Sequence, residues 1–276
     1  MTETSSANAT DTGSDCKICI KDLHKSFGSK VVLDGVNIEI GRSEALVVIG
    51  GSGTGKSVLL KHIIGLLKPD SGSVLVDGTA VETLNNRQIT EFRRKFGFSF
   101  QEGALFDSMT VWQNVAFPLQ RLTKLSRQEI GERVEECLSM VRLEGTGDKM
   151  PSELSGGMRR RVGFARSVAH KPEILLFDEP TTGLDPVTTA LIDEVIIELK
   201  ERLKTTTVTI THDMESAFRI GDRVAMLHKG KIIASAPPEE FRQLEDPRVQ
   251  QFIHGHADGP LSEEASRGSA RTAEAR

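Results

Sequence analysis

The chain has 276 residues, with 35 Lys and Arg against 39 Asp and Glu, a formal charge of −4 at pH 7. Hydrophobic residues at 38% and charged ones at 27% exclude wholesale disorder and a polytopic membrane protein. The near-neutral balance argues against a protein whose main work is on a nucleic-acid backbone.

The first fifteen residues are polar, with no basic start and no apolar block, so they do not read as a secretory signal. They and residues from about 257 to 276 are expected to be mobile. From Cys16 to Leu23 apolar and polar residues alternate as in a strand. Cys16 and Cys19 would then face opposite sides, so their thiols are expected to diverge, which disfavours a redox or zinc role. Three cysteines fit a reducing cytosol.

Ala45 to Ile49 is an unbroken aliphatic run, as in a strand buried on both faces. No apolar run approaches the ~18–20 residues that span a bilayer, so work at a membrane would require recruitment by a partner. Ser57 to Leu67 reads as a helix with Leu59, Leu60, Ile63, Ile64 and Leu67 inward and Lys61, His62 and Lys68 off that face. Residues of about 102–154 carry mixed charges in helical patterns and read as an inserted helical lobe, with Cys137 as a small buried residue. Glu173 to Phe177 is a second buried strand, Thr188 to Leu203 a helix, and Thr206 to Thr211 a third strand. Val224 to Leu227 and Lys231 to Ser235 form a hairpin around Lys229-Gly230. The alternation predicts an α/β fold, a mostly parallel sheet covered by helices.

Gly50-Gly51-Ser52-Gly53-Thr54-Gly55-Lys56-Ser57 follows the first buried strand and opens the first helix. In G-x-x-x-x-G-K-S the glycines let backbone N–H groups close around a phosphate chain, Lys56 reaches the outer phosphates, and Ser57 can ligate Mg²⁺. A second buried strand ends in Asp178 and Glu179. Asp178 is expected to hold Mg²⁺ through water, and Glu179 to orient or deprotonate an attacking water. Asp-Glu-Pro in an ordinary exposed loop is the competing reading. His212 follows the third strand and is expected to sense phosphate, with Asp213 as a helix N-cap. Ser155-Gly156-Gly157 is either a second anion nest or a capped turn, and Asp185-Pro186 is a helix start. Arg159, Arg160 and Arg161 spread around a helix and are expected to make individual surface and intersubunit pairs.

Together these elements resemble the ATP-binding cassette ATPases over about residues 16–240. The resemblance implies a P-loop NTPase (RecA-like) core, an N-terminal antiparallel β subdomain, an inserted α-helical subdomain (about 102–155) and a C-terminal extension over 241–276. It implies Phe27 as the adenine-stacking aromatic, Gln101 as a Q-loop residue with catalytic and metal-ligating roles, and Leu154-Ser155-Gly156-Gly157-Met158 as the signature. Met158 stands where the family usually has Gln. It implies Asp185 in a D-loop and His212 as the switch histidine. It also implies a head-to-tail homodimer, each ATP lying between one chain's Gly50–Ser57 and the other's Ser155, Gly156, Gly157 and Asp185.

Within that family the chain is similar to the ATPase subunits of Mce-type (Mla-like) phospholipid transporters. The likeness lies in Phe100 to Phe106, in Ser155-Gly156-Gly157-Met158 with Arg160-Arg161, and in Asp246 to Phe252 followed by residues 255–260. It implies a peripheral subunit on the cytoplasmic face of a membrane, a separate permease, a lipid-binding Mce protein and a small regulatory subunit. Phe106, Met109, Trp112 and Phe117 then read as a groove for a permease helix, or as a mini-core of the helical lobe. An iron–sulfur assembly ATPase, a cassette for another substrate and a nucleic-acid machine are the competing classes; the charge and the single cassette count against the last.

Overall fold

The computed structural model describes residues 16–262. The mobility expected for residues 1–15 and most of the tail therefore concerns positions outside the described residues. Two sheets organise the chain. The first is antiparallel, in the order β2 (Lys30–Gly41), β1 (Cys16–Phe27), β4 (Ser71–Val76), β5 (Thr79–Ala80).

The second sheet has six strands. Its order is β10 (Lys231–Ala236), β9 (Arg223–His228), β3 (Ala45–Ile49), β8 (Thr206–Ile210), β7 (Ile174–Asp178), β6 (Phe96–Ser99). Five strands run parallel and β10 returns antiparallel to β9. Parity along the strands divides the core. Leu46, Val48, Leu176 and Val208 face the antiparallel sheet and α1 (Lys56–Ile63). Val47, Ile49, Leu175 and Phe177 face the helices on the other side, which is why β3 and the Ile174–Phe177 run of β7 are apolar at every position.

Between β5 and β6 lies α2 (Asn86–Arg93), and after β6 come α3 (Val111–Leu122), α4 (Arg127–Met140) and α5 (Gly156–Val168). Thr110 and Ser126 close capping boxes at the starts of α3 and α4. α6 (Pro186–Leu203) and α7 (Met214–Ile220) flank β8, and α8 (Pro238–Arg242) and α9 (Pro247–His254) follow β10.

Three local expectations are corrected. Cys16 and Cys19 do not diverge: they are joined as a disulfide. A bulge is the cause, because two residues of β1, Cys16 to Ile18, advance the pairing by only one residue of β2, Gly41 to Ile40. Lys17 and Ile18 are consequently both buried, and both cysteines fall on the half-buried side. The first helix ends at Ile63 rather than Leu67. Gly65 sits at φ +68°, with Gly65 N–H donating to His62 O and Leu66 N–H to Lys61 O, a Schellman stop. His62 is 1% exposed rather than off the buried face. α1 lies between two sheets, and burial holds the His62 pKa below the ordinary histidine range. Cys137 is free and buried as expected, and burial pushes its thiol to about 11. Residues 257–262 fold back on α9, where Gln251 accepts from Leu261 N–H at 2.8 Å.

Candidate active site

The Gly50–Gly55 loop leaves the C-terminal tip of β3 and turns into α1. Two glycines are demanded by their surroundings. Gly50 lies at φ +151°, and a Cβ there would stand 2.2 Å from the Leu227 carbonyl oxygen of β9. Gly55 lies at φ +105°, and its Cβ would meet Leu33 at 2.9 Å on β2. The loop is thus gripped between both sheets, with the α1 N-terminus behind it. Lys56 folds over it, its Nζ donating to the carbonyls of Gly50 (2.8 Å) and Gly51 (3.1 Å). Burial lowers the Lys56 pKa, and Glu179 and Asp178 oppose that shift.

Asp178 and Glu179 end β7 beside this loop. Ser57 Oγ donates to Asp178 Oδ1 at 3.2 Å. Burial raises the Asp178 pKa, opposed by the Ser57 hydrogen bond and reinforced by Glu179. These are hard oxygen donors, the kind Mg²⁺ takes. Glu179 turns off the strand at φ +52°, an unfavourable backbone for a non-glycine residue, and its N–H is pinned to the Ile210 carbonyl at 2.9 Å. Its carboxylate receives the Thr182 hydroxyl at 2.9 Å, meets His212 Nδ1 at 2.7 Å, and stands 3.9 Å from Lys56 Nζ. His212 comes from the tip of β8, and Asp213 caps α7 through Ser216 N–H at 3.1 Å. Three parallel strand tips therefore deliver Ser57, Asp178, Glu179 and His212 to one place.

Gln101 follows β6, whose Ser99 is in register with Phe177 of β7, so it emerges on the same edge as Asp178. Its side chain is exposed. Phe27 is 48% exposed at the tip of the β1–β2 hairpin. Val32 of the same hairpin packs against Gly55, and the Lys25 ammonium lies 5.7 Å from the Phe27 ring centroid.

Ser155 is the N-cap of α5, accepting from Met158 N–H at 3.3 Å. Asp185 is the N-cap of α6, accepting from Val187 and Thr188 N–H at 3.0 Å each. The two helix starts touch, because Gly157 faces Thr188 so closely that a Cβ would lie 2.5 Å from its methyl group. The surface expectation is corrected for Arg160, while Arg159 is exposed. Arg160 is 7% exposed and its guanidinium donates within the chain to the Gln101 carbonyl (2.7 Å) and the Thr182 carbonyl. Arg159 reaches the Leu154 carbonyl, and Arg161 the carbonyls of Val141 and Arg142. Sequence reasoning also missed Thr182, which has no local signal. Arg160 had one: it shares the buried stripe of Gly157, Phe164 and Ser167. On the outer face, half-exposed Phe106 packs on Phe117 with ring centroids 4.9 Å apart, and Trp112 lies against Gly147.

Residues 33–182 match the ABC transporter family. The chain belongs to that family. As a member it binds nucleotide and hydrolyses ATP to ADP and phosphate. It is 42% identical to the probable ribonucleotide transport ATP-binding protein mkl of Mycobacterium leprae, over 88% of this chain and 70% of that protein. It is 39% identical to the intermembrane phospholipid transport system ATP-binding protein MlaF of Haemophilus influenzae, over 88% of this chain and 92% of that protein. The dimeric post-hydrolysis structure of the ATP-binding cassette MJ0796 with ADP and Pi superposes with a TM-score of 0.73, at 34% identity, over 80% of this chain and 98% of that one.

Proposed function

We propose that ATP binds with its phosphates on Gly50–Ser57 and its adenine on Phe27, with Mg²⁺ held by Ser57, Gln101 and Asp178. Bound there, Mg²⁺ would neutralise charge developing on the transferred phosphoryl group. Lys56 then exchanges its loop carbonyls for phosphate oxygens. Glu179 orients the attacking water and takes its proton, and His212, already bonded to Glu179, holds the γ-phosphate. The single observation that carries this reading is the Glu179 carboxylate, fixed between Thr182, His212 and Lys56 beside the Ser57–Asp178 pair.

Two copies close head to tail, each offering Ser155, Gly156, Gly157 and Asp185 to the ATP on the other. The first turn of α5 supports this: among the described residues it offers backbone N–H groups on small residues at a helix N-terminus. Closing and opening drive a separate membrane permease from the cytoplasmic face, and the cargo is phospholipid. The match along 92% of MlaF, together with the Asp246–Phe252 segment folded as α9, supports this choice. A lipid-binding Mce protein and a small regulatory subunit would complete the assembly. Ribonucleotide is the second reading, favoured by the 42% identity to mkl.

The deciding experiment isolates the chain with its permease in detergent and reconstitutes the pair in liposomes. ATP-dependent transfer of labelled phospholipid is expected. Transfer of labelled ribonucleotide with no lipid movement would replace the reading.

A further inference from the structure

We propose that Arg160 and Thr182 are positioning residues that tie the catalytic carboxylate to the signature helix. The Arg160 guanidinium reaches two main-chain segments at once. Its Nε donates to the Gln101 carbonyl at 2.7 Å, and its Nη2 to the Thr182 carbonyl. Thr182 in turn donates its hydroxyl to Glu179 Oε2 at 2.9 Å, the same oxygen that meets His212 Nδ1. A continuous chain of hydrogen bonds therefore runs from α5 through Thr182 to Glu179, with a branch to Gln101.

The packing around the chain is tight. Gly163 of α5 faces Gly103 so closely that a Cβ would lie 2.9 Å from its Cα. Arg166 donates to the Gly103 carbonyl at 2.6 Å and the Ala104 carbonyl at 2.8 Å. The segment after Gln101 thus rides on α5 and follows it. Glu179 itself sits in an unfavourable backbone conformation, which persists only where surrounding bonds hold it. Arg160 is buried, yet its two bonds go to carbonyls rather than to a carboxylate. An apolar residue would fill that space with less desolvation. What the guanidinium adds is a planar fork that fixes two loops at a set spacing.

Any displacement of α5 as its N-terminus meets a partner's nucleotide would pass through this fork to Glu179. The proposal rests on Glu179 as the base. It predicts an effect on turnover rather than on nucleotide affinity.

The test compares Arg160→Met, Arg160→Lys and Thr182→Val with wild type in steady-state ATPase, alongside nucleotide titration and thermal melting. Arg160→Met and Thr182→Val are each expected to lower kcat about tenfold, an interaction made in the transition state, while KM for ATP stays within about twofold. Because both act through one carboxylate, the double variant should lose little more than either alone. Arg160→Lys keeps the charge but not the planar fork, so it should recover less than half of the lost kcat, and full recovery would overturn the fork. Wild-type kcat in either single variant, a raised KM at unchanged kcat, or multiplying losses would overturn the proposal. Should Arg160→Met not fold, Thr182→Val carries the test alone, and unchanged turnover sinks it. A Glu179→Gln control separates the two ideas: wild-type turnover there removes the base assignment, whereas loss there with unaffected Arg160 and Thr182 variants removes only the relay.

Discussion

Asp77 offers a quantitative test of how the two sheets are joined. It sits in the turn after β4, where three cations converge: Lys17 of β1 at 2.9 Å, Lys95 before β6 at 2.6 Å and Arg42 after β2 at 3.0 Å. Lys17 is only 4% exposed and also pairs with Glu173 at the start of β7. Burial by itself would raise the Asp77 carboxyl, but hydrogen bonds from Lys95 and Lys17 overcome it and bring the pKa from 3.8 to about 2. That difference corresponds to about 2 kcal/mol of stability at neutral pH. The folded-state pKa lies below the unfolded one, so the stabilisation is present above about pH 4 and lost as pH falls through about 2. Asn is the neutral isostere of the protonated acid. Asp77→Asn is therefore expected to cost about 2 kcal/mol at pH 7, about half that at pH 3, and almost nothing near pH 2. Urea unfolding at a series of pH values reads the gap directly. A gap under about 0.5 kcal/mol at pH 7, or one that is the same at pH 3 and pH 7, would refute the reasoning.

Other outcomes follow from the site. Lys56→Ala should abolish ATP binding measured by calorimetry, since the buried ammonium is the charge proposed to face the outer phosphates; retained affinity would remove the loop from the account. Gly157→Ala should destabilise by about 1–3 kcal/mol, the usual range for overpacking. Thr188→Ser, which deletes the opposing methyl, should restore most of that loss in thermal melts, and no rescue would place the strain elsewhere. Ser155→Ala should cost about 1 kcal/mol in the isolated chain as a lost N-cap, with a larger proportional loss of ATPase activity. Equal, small effects on both would leave the serine as a cap alone.

Much of the site was legible because its chemistry dictates residue types in sequence. A phosphate loop needs glycine, lysine and a hydroxyl at set places, and a parallel strand must end where its acids are used. The strand spans before Gly50 and Asp178 could therefore be read from apolar runs, and the one before His212 from its β-branched Thr, Val and Ile residues. Where the reading failed, tertiary structure had overridden periodicity. A bulge at Lys17 reversed the facing of Cys16 against Cys19, and a strand pattern of alternating residues carries no sign of it. His62 is buried because α1 has sheets on two sides, which a one-faced helical pattern does not anticipate. Gly65 was a readable stop signal that the apolar Leu66-Leu67 pair masked. The three arginines after the signature look alike in sequence, and only the helix phase relative to Gly157 and Phe164 distinguishes Arg160. Thr182 acquires its role from a carboxylate delivered by a different turn of chain.

The central claim is that each nucleotide pocket is completed by a second copy of the chain. Light scattering of the Glu179→Gln variant, with and without ATP, tests it most directly. The account predicts a mass that rises from one chain to two when ATP is added, and that returns to one chain when Ser155 is replaced by a bulky residue such as Trp. A mass that stays at one chain in saturating ATP, or a dimer indifferent to Ser155, would contradict it.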